Sequence, residues 1–244
     1  WSPDYSFRYV IQENKGKAAA RNTGVAMAQS ELVFITDSDM IAHPDLLSHH
    51  VKAHQDAVSP SSFEGLTYNM DSLHWPPDLT LLSPYIQRQY KTGKRLGWFY
   101  FLTGNISFPK SIFDELGGFD DTFMGYGWED LELGYRFFKK DISHFYLKDA
   151  INYHYHVITD DDNIQRCYHK GVSARVFLSK HPELKWFLGC NPLSVWFAKR
   201  VRKDGCLERW VSKWFVSSFF SVLRRFGTWF LKELSYLRGV LDLE

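Results

Sequence analysis

Leu32-Val33-Phe34-Ile35-Thr36-Asp37-Ser38-Asp39 is the stretch whose reading decides the fold. Its first four residues are apolar, β-branched or aromatic, the composition of a short buried strand over residues 32–36. Two carboxylates then leave the strand's carboxyl end, where open α/β sheets keep their ligand crevices. A divalent ion held by one or two such carboxylates takes the rest of its shell from phosphate oxygens, which suits Mg²⁺ or Mn²⁺ and a phosphorylated ligand. The same Asp-Ser-Asp can instead turn the chain and cap the next helix, because Asp and Ser favour both positions.

Upstream, residues 9–12 read as a short strand, and Asn14-Lys15-Gly16 as a turn into an alanine-rich helix over residues 18–29 that carries Arg21 and Asn22. Downstream, Pro44 opens a helix over residues 43–54. Residues 61–69 and 98–108 read as further strands. The second passes through Thr103-Gly104-Asn105, where glycine permits close backbone approach to a ligand. A short helix over residues 110–116 is stopped by Gly117-Gly118 in a left-handed cap. The β-α-β-α alternation predicts an α/β fold.

A second cluster, Gly125-Tyr126-Gly127-Trp128-Glu129-Asp130, opens a helix ending near Lys140. Its acids fall in the first turn, where the helix dipole favours them whatever their chemistry. Two glycines and two aromatics cap a helix poorly, but they shape a sugar-sized wall: an aromatic face packs on pyranose C–H groups while a carboxylate accepts hydroxyl protons. A third cluster, Tyr153-His154-Tyr155-His156, follows a strand over residues 150–153, and alternation puts both imidazoles on one face. A neutral imidazole is a competent Mn²⁺ ligand beside carboxylates; either histidine could equally be structural.

Composition narrows the classes. With 244 residues, 45% of them hydrophobic, the chain can bury one large core, with or without a helical appendage. The net charge of +1 hides ten Lys/Arg against five Asp/Glu from Trp196 onward, a basic tail rather than a stripe across the body, which argues against nucleic acid as a partner. Cys167, Cys190 and Cys206 make no paired framework, as in a reducing cytosol. The most apolar run, residues 214–223, is about half the length a membrane-spanning helix needs. Asp160-Asp161-Asp162 caps a helix over residues 163–180, and from Leu207 onward Trp210, Trp214, Phe226 and Phe230 recur in a helical stripe with Arg209, Lys213, Arg225 and Lys232 off it. Such a tail, residues 207–241, can lie peripherally on an anionic membrane surface at its cytosolic face, or pack on its own domain or a second subunit.

Taken in order, Asn14-Lys15-Gly16 with Ala20-Arg21-Asn22-Thr23-Gly24, the Asp37-Ser38-Asp39 strand end, Thr103-Gly104-Asn105-Ile106-Ser107, Gly117-Gly118-Phe119-Asp120 and Gly127-Trp128-Glu129-Asp130 resemble the family-2 nucleotide-sugar glycosyltransferases over residues 9–156. The resemblance implies a GT-A-like α/β fold, a Rossmann-like mixed sheet flanked by helices, with a partial catalytic domain at residues 1–158 and a helical extension at 159–244. It implies a UDP-sugar donor, a saccharide hydroxyl as acceptor, and Mn²⁺ or Mg²⁺. Asp39 would bind the metal, with Asp37 on the metal or the ribose, and His154 would join them in preference to His156. Arg21, Asn22, Gly104, Asn105, Gly127 and Trp128 would line the donor and acceptor sides, Glu129 would hold the sugars, and Asp130 would be the general base. The Gly-Trp-Glu-Asp segment is similar to the acceptor-side motif of β-galactosyltransferase and chondroitin-polymerase domains, which implies an inverting enzyme. The strand-helix-strand that opens such domains has no counterpart ahead of Trp1, so weak or absent donor binding and activity are expected of these residues alone. Two other classes compete: a non-catalytic sugar- or metal-binding module, and a membrane-surface protein acting through its tail.

Overall fold

The strand β1 (Leu32–Ile35) forms where its composition predicts, with Val33 and Ile35 buried on one face and Phe34 packed on the other. In the computed structural model, which describes residues 5–70, 82–84, 90–155, 160–201, 205–216 and 220–241, it is the edge of a six-stranded mixed sheet. The others are β2 (Met40–Ala42), β3 (Ser61–Met70), β4 (Ser83–Pro84), β5 (Ile106–Pro109) and β6 (Ser143–Tyr155), in the order β1-β5-β3-β6-β2 with β4 on β3. β3 and β6 run parallel from Ser61↔Ser143 to Met70↔Tyr155, and the remaining pairs are antiparallel. As the middle strand of the sheet, β3 is buried along most of its length, as strands covered on both faces are.

The β3–β6 register shifts between Gly65 and Leu66, and Asn105 repairs the ladder there. Its buried amide donates to Leu66 O at 3.2 Å and Ala150 O at 3.0 Å, and its backbone carbonyl accepts from Gly65 N–H at 2.8 Å. A Cβ on Gly65 would lie 2.4 Å from Ala150 O and from the Asn105 amide, so only glycine fits.

Helices α1 (Gly16–Met27), α3 (Lys110–Glu115) and α4 (Glu129–Lys139) cover the Val33/Ile35 face through Ala18, Val25, Phe113, Leu133 and Phe137. On the opposite face, α2 (Leu46–Asp56) sets Leu46 against Phe63, Leu147 and Ala150. Gly117 and Gly118, at φ +79° and +73°, end α3, and Gly118 N–H donates to Phe113 O at 2.9 Å, the predicted left-handed cap. α5 (Asp160–Lys180) seats Phe177 against Phe123 and Tyr135. It meets α8 (Ser221–Leu241) backbone to backbone: a Cβ on Gly171 would fall 2.0 Å from Tyr236 O and one on Gly239 2.1 Å from Tyr168 O. Shorter helices α6 (Pro192–Arg200) and α7 (Cys206–Val211) complete this region. Among the described residues, no helix is long and apolar enough to cross a membrane.

Three expectations are corrected. Residues 9–12 are exposed and join no strand among those described. The single strand expected over residues 98–108 is a 3₁₀ turn at Trp98–Tyr100, then β5: Trp98 docks edge-on to Tyr135 and Phe177 instead, which draws this segment off the sheet. The stripe beginning at Leu207 is interrupted, since α7 passes into a wider π turn (Ser212–Val216) and α8 folds back on it, with Gly227 close against Phe215. Trp210, Trp214, Phe226 and Trp229 stay exposed, while Leu234, Leu237 and Val240 form the buried face. His156 and Phe219 lie outside the described residues.

Candidate active site

β2 was not foreseen, and it organises the first half of the site. Only three residues long, it pairs Met40 with His154 across the antiparallel β2–β6 ladder, and Tyr155 N–H donates to Asp39 O at 3.1 Å. Asp39 is thereby brought beside the imidazole, with Oδ2 3.3 Å from His154 Nε2. On its other side, His154 Nδ1 lies 3.2 Å from Asn69 Oδ1 across β3, a contact that orients the ring with Nε2 toward the carboxylate. A carboxylate oxygen and an imidazole nitrogen oriented from behind suit a borderline-hard divalent cation. Among the described residues no cluster of three or more His, Cys, Asp or Glu surrounds that seat. An ion there would complete its shell from ligand oxygens and water.

Arg21 links this half to the second. From α1 its guanidinium donates to Asp37 Oδ1 at 3.0 Å and to Glu129 Oε1 at 2.8 Å, and it lies over the Phe119 ring. Its side chain is 12% exposed and that of Glu129 4%, whereas Asp37 is 38% exposed, so the Glu129 arm is the buried one. Burial alone would lower the Arg21 pKa, but the charges of Glu129, Asp37 and Asp130 outweigh it and raise it, holding the group cationic. The strand-end acids and the acids opening α4 therefore meet on one guanidinium.

Chain entry into α4 is unusual. Gly127 and Trp128 are both left-handed, at φ +84° and +74°, and for the tryptophan this stores about 1–3 kcal/mol. The turn sends the indole toward α5 and α8, with Phe177 at 5.9 Å and Tyr236 at 6.4 Å between ring centroids. Among the described residues it leaves two buried polar atoms without a partner, Glu129 Oε2 and Trp128 Nε1, as at a site that awaits a hydroxylated ligand. Asp130 accepts Leu131 N–H at 2.8 Å. Burial first, and then the neighbouring Glu129 charge, push its pKa up to about 7, with Arg21 opposing. A carboxylate titrating near neutrality is suited to take a proton.

Other nominated residues sit differently. The Asn22 amide donates to Phe119 O and Asp121 and accepts from Phe119 N–H, clasping the 119–121 loop to α1. Asn105 is spent inside the sheet. Gly104 borders the site, since a Cβ there would lie 2.7 Å from Met40 Cε and 3.9 Å from Asp37 Oδ2. A residue passed over in the sequence is Glu64 of β3, 2% exposed, which accepts Leu102 N–H at 3.1 Å. Burial raises its pKa well above the ordinary carboxylate value, and the Asp130 charge adds to the rise. A lone acid inside an otherwise buried strand is the signal that could have found it. A separate cavity of about 370 Å³ contains Glu132, Arg136, Lys180 and His181, all internally paired, and belongs to the scaffold that holds the Gly117-Gly118 turn.

Residues 3–117 match the family model for glycosyl transferase family 2, and residues 85–160 that for the N-terminal domain of galactosyltransferase. Validoxylamine A glucosyltransferase of Streptomyces hygroscopicus subsp. jinggangensis is 27% identical over 205 residues, covering 72% of this chain and 48% of that protein. Chondroitin synthase of Pasteurella multocida is 25% identical over 209 residues, 72% of this chain and 22% of its own length. The chain thus spans about half the length of the glucosyltransferase it matches. In fold, it is similar to the mannosyltransferase PcManGT of Pyrobaculum calidifontis, solved with GDP-Man and Mn²⁺, with a TM-score of 0.51 at 14% identity over 95% of this chain and 68% of that one.

Proposed function

The chain belongs to the family-2 glycosyltransferases, and from that premise we propose that it moves a sugar from a nucleotide diphosphate-sugar, a UDP-sugar by preference, to a hydroxyl of a saccharide acceptor, with inversion. The observation that carries this reading is the Arg21 bridge, because it joins the acids that follow β1 to those that open α4. Asp39 and His154, with Asp37 alongside, would hold Mn²⁺ or Mg²⁺. When bound, that ion offsets negative charge on the donor's diphosphate.

Asp130 accepts the acceptor hydroxyl's proton as the oxygen forms its bond to the anomeric carbon, while the bond from that carbon to the diphosphate oxygen breaks and its electron pair leaves with the nucleotide. Glu129 Oε2, buried and unpartnered among the described residues, accepts a second hydroxyl and sets the sugar's orientation. Arg21 holds Glu129 in place through their 2.8 Å contact. On this reading, residues 1–158 carry the transfer site and residues 159–244 serve as a helical extension that backs Trp128 through Phe177 and Tyr236. Asp130→Asn tests it: transfer should fall by at least 10²-fold while donor affinity is kept, whereas a variant that still transfers at the wild-type rate would refute the assignment. A sugar-binding module without turnover would leave both forms inactive.

A second reading rests on the exposed Trp210, Trp214, Phe226 and Trp229 with Arg209, Lys213, Arg224 and Arg225 among them. This combination supports peripheral contact with an anionic membrane at the cytosolic face. Flotation with liposomes should then depend on anionic lipid, and indifference to lipid charge would rule it out.

A further inference from the structure

Tyr126 stands three residues before Glu129, and three cations from two helices converge on its ring. Lys17 Nζ of α1 is 4.8 Å from the ring centroid, and Arg166 Cζ and Lys170 Nζ of α5 are 5.3 and 5.6 Å away. Lys17 and Lys170 are exposed, and among the described residues neither forms an ion pair. Attraction to one aromatic face explains a single cation there. It does not explain two exposed lysines that form no ion pair among the described residues, since like charges gathered at one ring repel, and such a locus recruits an anion.

Position identifies which anion. Lys17 and Arg21 are one turn apart on the same face of α1. Arg21 reaches Asp37 and Glu129, whereas Lys17 reaches the residue that precedes the Gly127-Trp128 turn. Lys170 packs on the same turn, its Cγ 3.3 Å from where a Cβ on Gly127 would stand, so the cationic ring adjoins the turn that carries Glu129. We propose that Lys17 and Lys170, set against Tyr126 beside Arg166, form an acceptor subsite for an acidic saccharide and bind its carboxylate. The inference rests on the transferase reading and names the acceptor class for it.

The test is calorimetric binding to the full-length protein of a glucuronate-terminated oligosaccharide, its glucose-terminated neutral counterpart, and UDP with Mn²⁺, in the wild type and in Lys17→Ala/Lys170→Ala. Both lysines are exposed, so the double variant should keep its circular dichroism spectrum. The acidic oligosaccharide should bind about tenfold more tightly than the neutral one, the scale of two exposed charge pairs. That preference should vanish in the double variant and shrink with added salt, with UDP affinity unchanged. Equal binding of the two oligosaccharides, or a preference that survives the double substitution, overturns the inference. Loss of UDP affinity without a change in saccharide binding assigns the cluster to the donor and overturns it as well. A wild type that binds UDP but shows no charge preference leaves the transferase reading standing, whereas one that binds neither UDP nor saccharide removes both.

Discussion

Arg21→Ala breaks the contact on which the site depends, and its two arms predict unequal losses. The Glu129 arm, at 2.8 Å with a carboxylate 4% exposed, is a buried pair, and removing one partner of such a pair costs about 3–5 kcal/mol. The Asp37 arm, at 3.0 Å but 38% exposed, is worth about 0–1 kcal/mol. The total should be about 3–6 kcal/mol, most of it from Glu129, or a melting temperature lower by roughly 6–24 °C for a domain of this size. Arg21 is also the group that holds the Asp130 pKa down against burial and Glu129. Its removal should move the acidic limb of the kcat/KM profile above its wild-type position near pH 7. Arg21→Lys keeps the charge but loses the fork, so it should recover only part of either effect. Urea unfolding and a pH–rate profile measured on the same preparations decide the matter. A loss below 1 kcal/mol with an unmoved limb would refute the bridge as the organising contact.

Acid should weaken the fold from its centre. Burial lowers the His50 and His144 pKa values to about 4 from the ordinary 6.5. Below pH 6.5 the unfolded chain takes up protons that the folded chain refuses until pH 4, so stability is held above 6.5 and falls through that window by about 1.4 kcal/mol per pH unit for each histidine. Urea midpoints that stay flat between pH 7 and 4.5 would contradict this. Gly65→Ala would press a methyl to 2.4 Å from Ala150 O at the β3–β6 shift, and soluble yield should collapse; a variant with wild-type melting would show that the bulge can relax. Asn69→Ala removes the partner that orients His154 and should weaken Mn²⁺ binding about 10–100-fold by titration, whereas unchanged affinity would mean that Asn69 does not orient the imidazole.

What could be read from the sequence was local. β1 and the short α3 with its Gly117-Gly118 stop follow from composition and backbone freedom within a few residues, and so does the acid-rich opening of α4. What escaped depends on partners distant along the chain. β2 has three residues and exists because β6 offers it an edge. Asn105 reads as a ligand-side residue until the register shift that it mends is known. Glu64 looks like one polar residue in a strand, and only the sheet shows it buried, accepting from Leu102 N–H. The apolar stripe after Leu207 has helical spacing, but glycines at 171, 227 and 239 decide the approach of the helices and hence which of its faces is covered. Arg21 could be nominated from its motif, though nothing in the order of residues says that it touches both acid pairs.

A crystal of the full-length protein grown with UDP and Mn²⁺, with diffraction collected at a wavelength where manganese scatters anomalously, tests the central claim most directly. The account predicts one peak at about 2.0–2.2 Å from Asp39 and His154, with UDP phosphate oxygens completing the shell and the Asp130 carboxylate opening onto the same pocket across Arg21. Manganese bound elsewhere, or Asp130 walled off from the nucleotide, would contradict it.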